Sequence, residues 1–210
     1  MGLLIKLLLS YLLGSVLGSL LLGRLRGVDV RQHGSGNAGA TNALRVLGQG
    51  MAVAVLAIDA GKGVLAVTLI PALPFGAGPE LPWLPVLCAF AVVLGHVYPL
   101  FHGFRGGKGA ATLLGVVLGL MPAGVIWIFG AWLLVLVLSG YVGLATVLAA
   151  AVAPLYVAFG TPEGIASPLS LFAVLMAAFV FYTHRENIRR LWAGNEHRFE
   201  RVMLLRRLRG

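Results

Sequence analysis

Residues 109–162 read GAATLLGVVLGLMPAGVIWIFGAWLLVLVLSGYVGLATVLAAAVAPLYVAFGTP, 54 positions between Lys108 and Glu163 without one Asp, Glu, Lys or Arg. A helix needs ~17–25 residues to cross a bilayer. One crossing cannot absorb such a run, but three short ones can, with breaks at Met121-Pro122-Ala123-Gly124 and Ser139-Gly140-Tyr141. Working outward, charges punctuate the rest of the chain. Lys6 and Arg24 enclose 17 uncharged residues, Lys62 and Glu80 another 17, Glu80 and Arg105 enclose 24, and Glu163 and Arg185 enclose 21. The whole chain of 210 residues is 59% hydrophobic and 11% charged, with a mean hydropathy of +0.94. An ordinary soluble domain is roughly 25% charged, so a cytosolic globular enzyme and a disordered chain are excluded. Cys88 stands alone, which excludes a disulfide framework and a thiolate metal cluster.

Charge also orients the spans. Fifteen of the 16 basic residues fall in 24–62, 105–108 or 185–209, and Lys6 is the exception. The Pro- and Gly-rich loops around Glu80 and Glu163 carry no Lys or Arg. The positive-inside rule puts the basic stretches in the cytoplasm and these two loops outside. Residues 109–162 must then cross an odd number of times. The expectation is an all-α integral membrane protein, a single domain over 1–210 with seven transmembrane helices near 4–23, 51–70, 83–100, 110–121, 123–138, 142–159 and 166–183. Its N-terminus is outside and its C-terminus cytoplasmic. The first segment has no A-x-A-like cleavage site, so it reads as a retained span, with Gly14 and Gly18 at a helix-packing spacing. The fourth span is short enough to be tilted or partly re-entrant.

Polar residues gather in three stretches, all on the predicted cytoplasmic face. In HGSGNAGATNALRVLG (33–48), Gly34, Gly36 and Gly39 let backbone N–H groups converge. Ser35, Asn37, Thr41 and Asn42 add neutral donors and Arg45 a planar cation. Such a set suits a phosphate or an oxyanion; a glycine turn followed by a helix cap at Thr41 or Asn42 needs the same residues. In GHVYPLFHGFRGGKGAAT (95–112), Gly106, Gly107, Lys108 and Gly109 outline a phosphate cradle opening a helix. Positive-inside anchoring by Arg105 and Lys108 is the plainer alternative. A Walker A loop is excluded, because His102 and Gly109 stand where it needs a glycine and a Ser or Thr.

In HRENIRRLWAGNEHRF (184–199), a helix would align His184, Asn187 and Arg190 or Ile188. His184 is a candidate general base, since imidazole titrates near neutrality, or an interfacial hydrogen-bonding group. The tail from Arg198 to Arg209 reads as a basic amphipathic segment on anionic lipid. Asp59 and Lys62, three apart inside the second span, read as a buried ion pair that positions the first stretch. No acidic cluster suits magnesium pyrophosphate, the five histidines lack zinc spacing, and neither a G-x-S-x-G elbow nor a His-x-x-x-x-Asp dyad occurs. No metal or cofactor is therefore expected.

Together the three stretches closely resemble the bacterial membrane glycerol-3-phosphate acyltransferase family that uses acyl phosphate as donor. Its pattern runs GSGNxGxTNxxRxxG, GHxxPxFxxFxGGKGxAT, then HxxNIxRLxxGxE, and this chain matches all three in order. Asp59-x-x-Lys62-Gly63 looks like a further family feature. Relatives often carry serine in a Tyr-Val-Ser-Leu run; here it is Tyr141-Val142-Gly143-Leu144, with Ser139 or Thr146 nearby.

The resemblance implies acyl transfer to the sn-1 hydroxyl of glycerol 3-phosphate, giving lysophosphatidic acid and phosphate, the first acylation of phospholipid synthesis. It implies a multi-pass protein of the bacterial cell membrane with its active site on the cytoplasmic face, with no nucleic acid and no obligate protein partner. Ser35, Arg45, Lys108, His184 and Asn187 would be catalytic; Gly34, Gly36, Asn37, Thr41, Asn42, His96, Gly106, Gly107 and Gly109 would bind substrate. The proton from the acceptor hydroxyl would go to His184, Ser35 or the donor phosphate. The rival readings are a transporter for an organic phosphate or other anion, which would place its polar residues near the bilayer midplane, and a lipid-headgroup phosphotransferase, which usually needs acidic metal ligands.

Overall fold

A computed structural model describes residues 1–76, 81–162 and 164–203. Among these residues the regular structure is helical, with no strand. The long helices are α1 (Gly2–Ser15), α2 (Gly18–Arg24), α3 (Ala40–Leu47), α4 (Gln49–Ala72), α5 (Leu84–Val97), α6 (Ala110–Leu120), α7 (Gly124–Ser139), α8 (Val142–Gly160), α9 (Pro168–Thr183) and α10 (Arg185–Trp192). Three segments are long and apolar enough to cross a membrane: α4, α8 and Leu84–His102. The bent pairs α1–α2 (46°) and α9–α10 (54°) bring the number to five, and α6 and α7 are shorter apolar helices. The expected outside loops centre on Glu80 and Glu163, which lie outside the described residues, as does the tail beyond Met203.

The chain divides into two compact units, Met1–Met121 and Pro122–Gly210. In the first, α1 packs on α5, and α4 packs on α3, α5 and α6. Lipid tails are as apolar as leucine, so burial alone does not drive membrane helices together; close backbone approach does. Gly14 and Gly95 let α1 and α5 touch, because a Cβ on either would strike a backbone carbonyl of the other helix, at Val92 and Tyr11 respectively. Gly63 and Gly115 do the same for α4 and α6.

Two expectations for this unit change. The span near 4–23 is not one helix, because it breaks at Val16–Leu17. Lys6 does not mark a boundary in water: it is fully buried in α1, and its ammonium donates to the Pro71 carbonyl at 2.8 Å. The last carbonyls of α4 have no intrahelical donor, and Lys6 supplies one.

In the second unit α7 packs on α8, and α8 on α9 and α10. Helix α7 is apolar all round, and Ile126, Trp127 and Leu134 point outward, as a lipid-facing surface demands. Gly140 ends α7 in the left-handed conformation (φ +77°), where glycine carries no Cβ penalty. The start of the basic tail folds back on this turn: Phe199 N–H donates to the Gly140 carbonyl (2.8 Å) and Arg198 Nε to that of Ser139 (3.0 Å). Arg198 and Phe199 thus serve orphan helix-end carbonyls at the start of the tail.

Candidate functional site

The first glycine-rich stretch is held by Asn42. Its side chain is 1% exposed. Nδ2 donates to the carbonyls of Val30 (2.8 Å) and His33 (3.0 Å), and Oδ1 accepts the Ser35 N–H (2.9 Å). Gly34 is left-handed (φ +62°), and a Cβ there would run into Asn42 Oδ1. Asn42 therefore shapes the loop with both ends of its amide. Ser35 stays exposed at the turn, Gly36 is again left-handed, and Asn37 is half-buried. Thr41 sits in the first turn of α3, and Arg45 follows one turn later on the same face, exposed. Ser19 on α2 donates to the Ala38 carbonyl (2.8 Å) and pins the loop from beneath.

Two residues the sequence reading missed tie this stretch to the second. Asp29 accepts the Arg31 N–H at 2.9 Å, and its carboxylate takes the guanidinium through Nε and Nη2, the latter at 2.8 Å. The Arg31 side-chain hydrogen bonds hold the Asp29 carboxyl down to about 2, against a smaller opposing effect of burial. Arg31 Nη1 then donates to the carbonyls of His102 (3.1 Å) and Arg105 (3.4 Å). An acid and a base two apart, directly before a glycine cluster in a charge-poor chain, were the available signal.

The second stretch rests on a buried trio. Lys62 Nζ lies 3.0 Å from Asp59 Oδ1 and 2.9 Å from His96 Nδ1. It also donates to the carbonyls of Gly14 (2.9 Å) and Val16 (2.7 Å), while Gly18 N–H donates to Asp59 Oδ1 (3.2 Å). The break between α1 and α2 strands these backbone groups, and the ion pair satisfies them. The pair is buried, as expected, and holds the helix break and His96; through Gly18 it also holds the start of α2, whose Ser19 pins the first stretch. A protonated Lys62 has only hydrogens to offer, so His96 Nδ1 accepts and Nε2 carries the ring proton. Nε2 lies against Gly107, where any Cβ would collide with it. His96 is itself buried and stands behind the loop, whose Gly107 N–H donates to the His96 carbonyl (3.1 Å) and Gly106 N–H to that of Val97 (3.2 Å). Gly109 opens α6 at φ +86°, leaving Lys108 half-buried and Arg105 exposed.

In the second unit His184 is buried at the bend between α9 and α10. Its Nδ1 lies 2.9 Å from the Val180 carbonyl, so Nδ1 donates. Helix α10 does align Asn187 with Arg190, through Glu196, which the sequence reading did not single out. Asn187 Nδ2 donates to Glu196 Oε1 (2.6 Å) and Arg190 Nε to Oε2 (2.7 Å), with the carboxylate side chain 7% exposed. Gly143 faces Asn187, and a Cβ there would come within 2.8 Å of both its Cβ and its Nδ2. Ser139 and Thr146 spend their hydroxyl hydrogens on the carbonyls of Val135 and Val142. Among the described residues no group of three or more His, Cys, Asp or Glu has the arrangement to hold a metal ion.

The family model described as glycerol-3-phosphate acyltransferase matches residues 4–194. The glycerol-3-phosphate acyltransferase 2 of Moorella thermoacetica is 44% identical over 197 residues, covering 93% of this chain and 96% of the relative. A crystal structure of PlsY, an integral membrane glycerol 3-phosphate acyltransferase, in its glycerol 3-phosphate form superposes with a TM-score of 0.85 at 40% identity, covering 95% of this chain and 96% of that one. Its lysophosphatidic acid form gives 0.85 at 38%, covering 98% and 99%. With the first two polar stretches and most of the third inside the matched region, the chain belongs to the glycerol-3-phosphate acyltransferase family of integral membrane proteins.

Proposed function

We propose that this membrane acyltransferase takes its acyl group from acyl phosphate and delivers it to the sn-1 hydroxyl of glycerol 3-phosphate. The hydroxyl oxygen forms a bond to the acyl carbonyl carbon, the bond from that carbon to the phosphate oxygen breaks, and lysophosphatidic acid and inorganic phosphate leave. The observation that carries this reading is the near-complete overlap with a glycerol 3-phosphate acyltransferase solved in its glycerol 3-phosphate and lysophosphatidic acid forms. The chemistry of the chain supports it. An acyl phosphate is an activated mixed anhydride, so the protein has mainly to align two anionic substrates and stabilise charge. Neither task needs a metal or a cofactor.

Ser35, Thr41 and Arg45, with the backbone of Gly34, Gly36 and Asn37, bind one phosphate. Gly106, Gly107, Lys108 and Gly109 cradle the other, with His96 behind them. Asn42 positions Ser35. In the second unit His184 and Asn187 attend the acceptor hydroxyl, and the departing phosphate takes its proton. We place these stretches on the cytoplasmic side of the cell membrane, with seven crossings and an outside N-terminus; the distribution of Lys and Arg supports this.

Purified protein given palmitoyl phosphate and glycerol 3-phosphate, with EDTA present and coenzyme A absent, is expected to form lysophosphatidate and release phosphate in equal amounts. Activity that vanishes with EDTA and returns with magnesium overturns the mechanism. Single cysteines at 76 and 164 are expected to label from outside, and those at 36, 107 and 195 from inside. Labelling of 107 and 195 from opposite faces overturns the topology.

A further inference from the structure

Arg24, at the C-terminal end of α2, is exposed and engaged by no hydrogen bond or ion pair among the described residues. It opens onto a cavity of about 300 Å³ lined also by Leu20, Val28, Asp29, Arg31 and His102. None of these residues has a part in the chemistry proposed above. Cavities that take small ligands begin near this size. Two guanidiniums against one carboxylate leave the lining net positive. Asp29 is already spent on Arg31, whose fork it holds in place, and Arg31 Nη1 is spent on the carbonyls of His102 and Arg105, so the donors left to meet an anion are chiefly those of Arg24. Leu20 and Val28 make part of the lining apolar, and Leu21, Leu25, Phe101 and Phe104, close in sequence to the lining residues, are exposed. A basic cavity roomy enough for a phosphate headgroup, with exposed apolar side chains next to its lining residues in sequence, in a membrane protein, has the two-part chemistry of a phospholipid: headgroup in, chains outside.

We propose that the cavity between Arg24, Arg31 and His102 binds the phosphate of an anionic phospholipid, at the membrane interface of the leaflet that contains residues 24–31. Arg24 supplies the free cation, Arg31 the fixed one, and Leu21, Leu25 and Phe101 lie along the acyl chains. Free phosphate shares the headgroup chemistry but gains nothing from these apolar side chains.

Native mass spectrometry of the full chain, released from detergent with phosphatidylglycerol or phosphatidylcholine added, tests this. The wild type is expected to retain one phosphatidylglycerol that Arg24→Gln retains about tenfold less, as for the loss of a charge-assisted hydrogen bond. Arg26→Gln, an exposed neighbour outside the cavity, is expected to leave retention unchanged, and phosphatidylcholine retention is expected to ignore residue 24. Equal retention by wild type and Arg24→Gln overturns the proposal. So does an equal loss with Arg26→Gln, which would mean diffuse attraction, or displacement of the lipid by an equal concentration of inorganic phosphate. If Arg24→Gln does not fold, Arg24→Lys and His102→Gln decide: reduced retention in both supports the site, and retention equal to wild type in both overturns it.

Discussion

In the first unit Lys6 reaches the carbonyl of residue 71, Lys62 those of residues 14 and 16, and Arg31 those of residues 102 and 105. In the second, Asn187 and Arg190 meet Glu196 within nine residues of chain. Both units keep polar groups in an apolar setting, yet the first joins distant helices through buried side chains, whereas the buried tie around α10 is local and the second unit's long-range side-chain tie, Arg198 to Ser139, is exposed. The reason lies in the backbone. The break between α1 and α2 and the end of α4 leave donors and acceptors that only distant side chains can satisfy. Helix α10 has its own continuation, residues 193–196, to supply a carboxylate. Damage to the first unit's buried ties should therefore spread, and damage to Glu196 should stay local.

The largest expected effect is at Lys62. Its removal leaves Asp59 as a buried, uncompensated charge and strands two carbonyls, and breaking a buried pair costs about 3–5 kcal/mol. Lys62→Ala is expected to lower the unfolding midpoint in detergent far more than any other change discussed here. Asp59→Asn combined with Lys62→Met should recover part of the loss, since no bare charge remains. A loss below about 1 kcal/mol for the single variant would break the contrast between the units.

Next comes the cradle, where the effect is on turnover. Arg105 and Lys108 are equal as inside anchors, but Lys108 stands between Gly107 and Gly109, where backbone can close around a phosphate. Lys108→Ala is expected to lower turnover at least about a hundredfold, or ~2.7 kcal/mol, with insertion unchanged. Arg105→Ala is expected to cost about tenfold or less. Similar small losses would favour anchoring. Insertion and orientation, measured first by cysteine labelling, make the comparison valid.

Glu196→Gln sharpens the contrast from the other side. A carboxamide keeps the shape but only one acceptor, so it serves Asn187 or Arg190, not both. Hydrogen bonds to charged groups contribute about 1.5–3 kcal/mol. Turnover is expected to fall about tenfold through misplacement of Asn187, with a midpoint shift well below that of Lys62→Ala. An equal shift would show that the second unit also depends on its buried polar ties.

Much of this was legible beforehand. Charge spacing located α4, α5 and α9 to within a few residues, because a charge is too costly in lipid to be scattered, and the Pro and Gly breaks divided the uncharged run into α6, α7 and α8. The three polar stretches carried the family, whose match removes the transporter alternative. The break at Val16–Leu17 was not legible, because both sides are apolar and no proline or charge marks it. Lys6 misled for a related reason: its partner is a carbonyl 65 residues away, and no local pattern reports such a contact. The sequence offers Asn42 as a donor to substrate, and only the fold shows its amide bound to Val30, His33 and Ser35. Gly143, noted as a departure from Tyr-Val-Ser-Leu, gains a reason, since it sits against Asn187 with no room for a Cβ unless Asn187 moves.

The smallest expected effect separates reach from burial. The Asp29–Arg31 pair also bridges a long stretch of chain, 71 residues to the His102 carbonyl, but its side chains are nearly a third exposed. If reach alone set the cost, Asp29→Asn would rival Lys62→Ala. If burial sets it, screening by solvent limits the loss to about 1 kcal/mol or less. The pH dependence identifies the pair. Arg31 stays charged throughout, and its hydrogen bonds hold Asp29 down to about 2, below the ordinary ~3.9. A depressed carboxyl stabilises fully above its unfolded value and loses that contribution as pH falls through its folded one. The midpoint difference between wild type and Asp29→Asn should therefore be constant from about pH 5 to 8 and shrink below about pH 4. A difference that grew on acidification, or that changed near neutrality, would assign the stabilisation to some other group. A large constant difference would mean that distance along the chain, not depth in the protein, governs what these ties contribute.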